Sequence, residues 1–304
     1  WERVVAPGGA AVRHRADGGV ETGFHVAGAA LSLVPSVRVE WLWSRDRGPP
    51  ADRIAWSGRA ALVSEPVPGL RLSLSGGRAV RAPSLYELYG DSGRALGNPD
   101  LRPETAWSLD GGVVWSADPL LPRGWRLRLE AAAFLSTVDE LIQFVQTAQN
   151  TAVAENVDRA RLWGVETGAR VDLLRHLRLA GNWSFLDPRN TGRVAARRGR
   201  DLPGRPASKW YLRAEGYAGD LPGLRDLSLY VDAEWIAGSF LDHANLVATA
   251  ARFHLGLGVS LRLLRPDVTF AAAGENLTDD RGLDLAGWPV PGRSWHLLVT
   301  WRLL

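Results

Sequence analysis

The sequence contains no cysteine and no methionine, and its 36 basic residues include a single lysine, Lys209. The lack of cysteine excludes disulfides, thiolate metal sites and thiol nucleophiles. All other basic residues are arginines, but 33 acidic residues reduce the net charge to +3. Because no basic stripe follows any segment, we expect no nucleic acid among the partners of this protein.

Long hydrophobic runs are also absent, since no apolar stretch approaches the roughly 20 residues that a transmembrane helix needs. The chain starts at Trp1, and no charged segment followed by an apolar one resembles a signal peptide. We therefore expect the chain to be one part of a longer or processed protein. Its 304 residues, 46% of them hydrophobic, exclude disorder.

The hydrophobic residues alternate with polar ones instead of forming runs. Successive side chains of a strand point to opposite faces, so alternation predicts strands with one apolar and one polar face. Segments that begin near Trp125, Leu227 and Ala251 all follow this rule. In the last of them, the two faces are Phe253, Leu255, Leu257, Val259, Leu261 and Leu263 against Arg252, His254, Gly256, Gly258, Ser260 and Arg262.

Two properties of these strands favour a membrane-spanning sheet over a water-soluble antiparallel sandwich, which would turn the same apolar face inward. The strands extend over roughly 10 residues or more, whereas globular strands average about 5–6. Most of the 14 tryptophans stand near predicted strand ends, as in the aromatic girdles at the two membrane interfaces. These are Trp43, Trp107, Trp115, Trp125, Trp163, Trp183, Trp210, Trp235, Trp295 and Trp301.

The predicted connections alternate between short and long, which is typical of outer-membrane barrels with short periplasmic turns and long external loops. Counting hairpins predicts twelve or thirteen strands, about nine of them after Thr105. The short connections lie near Val34–Ser36, Glu65–Gly69, Ala117–Gly124, Asp172–His176, Gly219–Leu224 and Leu264–Asp267. The long ones lie near Ser44–Asp52, Arg81–Glu104, Phe144–Arg161, Leu186–Pro206, Ala237–Ala250 and Thr278–Arg293.

Residues 81–104, RAPSLYELYGDSGRALGNPDLRPE, form the most distinctive of the long connections. Three prolines restrict the backbone, and four Gly and Asn residues suit turns. The segment resembles the Arg-x-Pro-Ser…Glu-Leu…Gly-Asn-Pro-Asp-Leu-x-Pro-Glu pattern of TonB-dependent outer-membrane receptors, and we call it the signature segment. The residues Glu275–Asp280 with Pro291–Arg293, and Arg161–Glu166, are similar to two further patterns of that family.

This resemblance implies an all-β, transmembrane antiparallel β-barrel. We expect residues 1–304 to be the C-terminal portion of one barrel domain, an incomplete barrel with twelve or thirteen of roughly 22 strands and without the N-terminal plug. The implied place is the bacterial outer membrane, crossed many times and surrounded by its lipids. The implied function is active uptake of a scarce ligand, such as a ferric siderophore or cobalamin, with energy from the TonB–ExbB–ExbD system and without a cofactor.

The candidate ligand-binding residues lie in the signature segment: Arg81, Tyr86, Tyr89, Arg94 and Asn98. Cations, phenols and an amide suit an anionic chelate with aromatic rings. The alternative is that the segment's polar residues only hold its shape, and we favour this alternative because a shared pattern cannot select different ligands. Trp288 and His243 in other external loops are weaker candidates.

No pattern of a catalytic or metal site accompanies these residues. The six histidines lack metal-ligand spacing, and the sequence has neither a Gly-x-Ser-x-Gly elbow nor a phosphate-binding loop. We therefore expect no enzyme. A passive porin-like channel, an outer-membrane hydrolase and a soluble sandwich remain the alternatives to an active receptor.

Overall fold

The computed structural model describes residues 2–6, 9–26, 30–45, 51–90, 95–117, 121–146, 151–174, 176–218, 221–264, 267–285 and 288–302. These residues form strands joined by turns and loops, with one short helix, α1 (Leu85–Tyr89). The strands are β1 (Glu2–Ala6), β2 (Gly9–Glu21), β3 (Phe24–His25), β4 (Leu31–Arg45), β5 (Ala51–Val67), β6 (Leu70–Arg81), β7 (Ala95–Leu96), β8 (Glu104–Ser116), β9 (Trp125–Gln146), β10 (Ala152–Leu173), β11 (Leu177–Asn190), β12 (Ser208–Tyr217), β13 (Leu224–Ile236), β14 (Arg252–Leu264), β15 (Asp267–Glu275), β16 (Leu283–Leu285), β17 (Trp288–Pro289) and β18 (Ser294–Trp301).

Sequential hairpins build one large sheet in the described part of the chain. Its strand order is β1-β2-β4-β5-β6-β8-β9-β10-β11-β12-β13-β14-β15-β18, and neighbours along this path are antiparallel. The short strands β3 and β7 attach to β4 and β10, and β16 pairs with β17 alone. The predicted all-β antiparallel fold is thus confirmed.

The path contains fourteen strands, which is more than the predicted twelve or thirteen. The nine strands predicted after Thr105 are present, so the difference arises near the N-terminus. The predicted short turn near Val34–Ser36 is wrong, because these residues pair with β5 inside β4. Pro35 is tolerated there because its carbonyl accepts a hydrogen bond from the backbone N–H of Thr22, so the missing N–H faces the end of β2 instead of β5.

The predicted long loop Phe144–Arg161 is also wrong. β9 continues to Gln146 and β10 begins at Ala152, so both strands rise well beyond the level at which β8 begins and β11 ends. At Glu140 the backbone takes φ +58°, and the alternation of faces reverses. Val138 and Leu141 consequently face the same apolar cluster although they are three residues apart. We call residues 137–146 with 152–161 the tall hairpin.

The predicted apolar face is the outer surface of the sheet. On β13, Leu229 and Val231 are 61% and 46% exposed, and on β18 Leu297 is 76% exposed. Hairpin register aligns such side chains across strands, as in the pairs Leu229–Val259 and Val231–Leu257. A water-soluble sandwich would bury this face, whereas a lipid-facing wall leaves it exposed.

Aromatic residues form a row across this face near the long-connection end. Trp183 pairs with Trp210, Trp210 with Trp235, and Trp235 with Phe253, on four successive strands. The Trp210 and Trp235 rings stack with centroids 6.5 Å apart. Trp115, Trp125 and Trp301 lie near the opposite end, at the end of β8, the start of β9 and the end of β18. The two levels match the girdles that the sequence predicts.

The opposite face is polar and carries ladders across neighbouring strands. The Arg213 guanidinium lies 3.7 Å from the centroid of the Tyr230 ring, one strand away. That ring covers Gly258 on the next strand, where an added Cβ would meet the ring at 2.4 Å. Glycine at this position therefore allows the aromatic ring to lie flat against the wall.

Within the described residues, no helix is long and apolar enough to cross a membrane.

A charge on the apolar face should be far more costly than the same charge on the polar face. We expect Val231→Arg to reduce the free energy of unfolding by about 2–4 kcal/mol, because the guanidinium would enter hydrocarbon. Ser260→Arg, on the polar face of β14, is the matched control and should change stability little. Denaturant unfolding of the full-length protein in lipid vesicles measures both, and equal losses would contradict the assignment of the faces.

Candidate functional site

The signature segment is fixed to the sheet by one arginine. The Arg81 guanidinium donates to both carboxylate oxygens of Glu104 at 2.8 Å, and to those of Glu87 at 2.8 and 3.0 Å. Arg81 ends β6 and Glu104 begins β8, and the two residues form the last pair of that ladder. Two bidentate contacts on one planar guanidinium fix the ends of the segment and the helix between them relative to one another.

The helix α1 is defined by a capping box. The Ser84 hydroxyl accepts a hydrogen bond from the Glu87 backbone N–H at 3.2 Å, while the Glu87 carboxylate accepts one from the Ser84 backbone N–H at 2.7 Å. Burial alone would raise the pKa of Glu87, but the hydrogen bonds from Arg81 and Ser84 outweigh it and hold the pKa below its ordinary value. Glu87 is thus an ionised capping residue and ion-pair partner.

After α1 the signature segment binds the tall hairpin through side-chain amides. Asn98 donates to the carbonyl of Ala154 at 3.1 Å and accepts from the Asp100 N–H at 3.0 Å. Asn156 of β10 donates to the Arg102 carbonyl and accepts from the Arg102 N–H. Each amide therefore replaces a backbone partner that a regular strand would supply.

Apolar side chains complete the contact between the signature segment and this face of the tall hairpin. Leu101 is 2% exposed and packs with Ile142 and Ala154. The Tyr86 ring lies 5.4 Å from that of Phe144, in a tilted arrangement. The signature segment is consequently a packed layer.

The loop of residues 191–207 covers the other face of the tall hairpin. Leu202 is fully buried in a cluster with Val138, Leu141 and Val157. The Gln143 amide donates to the carbonyl of Pro203 at 2.6 Å. The tall hairpin is therefore buried between two external connections, one on each face.

A third connection, residues 237–251, is joined by hydrogen bonds to the loop of residues 191–207. The Asn245 amide accepts from the Asp201 N–H at 2.8 Å and donates to the Asp201 carbonyl at 3.0 Å. The N–H of Gly204 donates to the carbonyl of Phe240 at 2.7 Å. Together with the signature segment and the tall hairpin, these loops form a single packed body, which we call the mouth.

His243 is buried inside the mouth, at 6% exposure. Burial lowers the pKa of its imidazole, and the nearby Arg197 lowers it further, against the smaller opposing effects of Glu155 and Asp242. Its Nε2 has no hydrogen-bond partner among the described residues. The ring is therefore neutral at neutral pH.

The C-terminal family pattern also has a structural role. Asn276 donates to the carbonyls of Asp280 and Pro291, which join the two ends of the last long connection. The N–H of Arg293 donates to Asp279, and this contact lowers the pKa of that carboxyl. Among the described residues, no group of three His, Asp or Glu side chains is placed to hold a metal ion.

The five predicted ligand-binding residues lie in different environments. Arg81 and Asn98 make the shape-holding contacts described above, and Tyr86 packs on Phe144 with 43% of its surface exposed. Tyr89 is the last residue of α1, and Arg94 lies outside the described residues. Of the weaker candidates, His243 is buried and Trp288 lies in β17.

Sequence reasoning did not single out two mouth residues that the structure places at the centre of these contacts, Gln143 and Leu202. Their positions depend on the tall hairpin, which the sequence presents as a loop. No local motif marks them.

We expect Arg81→Ala to open the contact between the signature segment and the tall hairpin. The Ile142 N–H, which donates to Glu104 at 2.6 Å, reports this opening directly. Its protection from hydrogen exchange should fall by about 1.5–3 kcal/mol, the usual cost of losing hydrogen bonds to charged groups. Arg71→Ala, on the same strand, is the control, and equal effects of the two substitutions would contradict the role of Arg81.

The pKa of Glu87 gives α1 a pH dependence. Because the folded pKa is lowered, the stabilisation is complete above the ordinary glutamate value of about 4.3 and is lost as the pH falls through the folded value. The Gly90 and Asn98 amides should therefore exchange faster below about pH 4, after correction for intrinsic rates. Glu87→Gln should abolish this pH dependence, and an unchanged profile in that variant would refute the assignment.

Three comparisons with known proteins agree with this architecture. Residues 15–277 match the family model described as TonB dependent receptor-like, beta-barrel. The vitamin B12 transporter BtuB of Vibrio vulnificus (strain YJ016) is 25% identical over 232 residues, which are 75% of this chain and 34% of that protein. The hemin receptor of Yersinia pestis is 28% identical over 150 residues, 44% of this chain and 22% of that protein. The chain thus spans about a third or less of the length of these relatives.

Solved structures show the same fold at low identity. The copper transporter OprC has a TM-score of 0.75 at 20% identity, over 95% of this chain and 47% of that one. The siderophore receptor PiuA from Acinetobacter baumannii has a TM-score of 0.74 at 17% identity, over 95% of this chain and 43% of that one. With its lipid-facing strands and its signature segment, the chain belongs to the TonB-dependent receptor β-barrel family, whose members are outer-membrane proteins.

Proposed function

We propose that residues 1–304 are the C-terminal portion of the barrel domain of an outer-membrane active transporter, which takes up a scarce ligand with energy from the TonB–ExbB–ExbD system. The mouth is the observation that carries this proposal. Three external connections and the tall hairpin pack into one body with its own buried clusters, whereas a diffusion pore needs an open lumen.

The two edges of the sheet support the proposal that the working protein contains a larger barrel. Along the described path, β1 and β18 each have one neighbour. An unpaired strand edge in hydrocarbon leaves backbone groups without partners at several kcal/mol each. We propose that further strands close the barrel and that a plug domain fills it, with outer-membrane lipids around the apolar face.

The proposed ligand is too large or too scarce to enter the cell by diffusion through a pore. The matched relatives and structures are named for vitamin B12, hemin, copper and siderophores. We therefore propose a small ligand that contains or carries a metal ion. Arg81 and Asn98 are proposed to hold the signature segment, as their contacts indicate. Tyr86, Tyr89 and Arg94 remain the proposed ligand-contacting residues of that segment.

The test is energy-dependent uptake by the full-length gene product. Expressed in a host that lacks its own receptors, it should support accumulation of at least one of ferric siderophores, hemin, cyanocobalamin or copper. Accumulation should cease when TonB is deleted or when the proton gradient is collapsed. Uptake that persists without TonB would indicate a passive channel and would overturn the proposal.

A further inference from the structure

One arginine lies on the apolar face of the wall, near the long-connection end of β6. Arg78 shares its parity with Leu72 and Leu74, which are 41% and 48% exposed, and its own side chain is partly exposed. It pairs with Trp107 of β8, and its guanidinium lies 4.3 Å from the centroid of the Trp56 ring on β5. The cation therefore lies between two tryptophans at the level of the aromatic girdle.

The fold binds only one of the five N–H donors of this guanidinium. The ladder between β5 and β6 ends at the pair Gly58–Arg78, and beyond it the Val80 N–H donates to the Ser57 hydroxyl at 3.2 Å. The carbonyl of Trp56 instead accepts from Nη1 of Arg78 at 2.6 Å. The other four N–H groups have no partner among the described residues.

Three other arginines on the apolar face near this end have acidic partners. Arg159, Arg161 and Arg189 each have a carboxylate oxygen within 4 Å. In the part of the chain that the structure describes, no carboxylate lies that close to Arg78. Its remaining donors therefore point to the surroundings of the wall, which at the girdle are the headgroups of the membrane lipids.

The wall is shallow directly below this cation. Gly58 lies beside Arg78 on β5, and Gly76 follows two residues lower on the same face of β6, so two adjacent strands carry no side chain here. Leu74 and Leu109, which are 48% and 53% exposed, lie below and beside Gly76. Hydrocarbon chains can therefore lie close to the backbone while a headgroup reaches the guanidinium.

We propose that Arg78 binds the phosphate group of a membrane lipid in the leaflet at the long-connection end, with Trp56 and Trp107 beside the headgroup and the lipid chains over Gly58 and Gly76. A guanidinium suits this task because its planar fork can donate two parallel hydrogen bonds to phosphate oxygens. The Trp56 ring and carbonyl hold the guanidinium in place for this contact. The site belongs to the wall, so it depends neither on the transported ligand nor on TonB.

The first experiment measures lipid binding by native mass spectrometry of the purified full-length protein in a neutral detergent. The probes are dioleoylphosphatidic acid, digalactosyldiacylglycerol as a lipid without phosphate, and inorganic phosphate as the anion without chains. Arg78→Gln keeps a donor for the Trp56 carbonyl and removes the charge, so it separates phosphate binding from support of the backbone. Arg53→Gln is the matched control, because Arg53 is an exposed arginine on the polar face of β5 at the same end.

Arg78→Gln should weaken the tightest binding step of phosphatidic acid by about tenfold, while Arg78→Lys should keep part of it and Arg53→Gln all of it. Binding of digalactosyldiacylglycerol should be the same in every variant. Equal binding of phosphatidic acid by Arg78→Gln and the unmodified protein, or an equal loss in Arg53→Gln, would overturn the proposal. Displacement of the lipid by inorganic phosphate at the same concentration would show a site for a free anion and would overturn it too.

The second experiment uses the unmodified protein, so it does not depend on the folding of a variant. Phenylglyoxal reacts with accessible guanidinium groups, and mass spectrometry of peptides reports the rate at each arginine. In vesicles of digalactosyldiacylglycerol, added phosphatidic acid should slow the reaction of Arg78 severalfold and leave that of Arg53 unchanged. Equal rates at Arg78 with and without the phosphate lipid would overturn the proposal.

Discussion

The need to pair every backbone N–H and C=O inside an apolar layer is the constraint on which the rest of the structure depends. Strands satisfy it only through their neighbours, so the long hairpins of the wall add to a single sheet instead of forming separate units. Once the ladder is fixed, alternation assigns side chains to two faces without further choice. The apolar outer wall, the aromatic rows and the polar inner face all follow from that one register.

The mouth obeys a different rule, because it lies beyond the girdle, where exposed polar groups can bind water and only those buried by the packed loops need partners from the protein. The tall hairpin continues the ladder upward, and a loop packs on each of its faces. Side-chain amides of Asn98, Asn156, Gln143 and Asn245 bind backbone groups at these junctions. Such contacts are directional, so they hold loops in defined positions that apolar packing alone would leave free.

The family pattern of the signature segment therefore marks a structural contact that holds β6, α1 and β8 together. Arg81, Glu87 and Glu104 bind one another, and the buried Leu101 packs against the tall hairpin. In the proposed receptor, ligand choice then falls to side chains whose polar groups are not already bound within the fold. This division explains how one pattern can serve receptors for different cargoes.

The sequence by itself determined the strands of the wall, the two faces and the aromatic girdles, because a period of two and the end placement of tryptophan are local signals. It also determined the ordered excursion of the signature segment, since prolines and the Ser84–Glu87 box act within a few residues. Only the tertiary structure decided that residues 144–146 and 152–161 are strand and that Pro35 lies within β4. Both depend on partners distant along the chain: the loops that bury the tall hairpin, and the end of β2 beside Pro35.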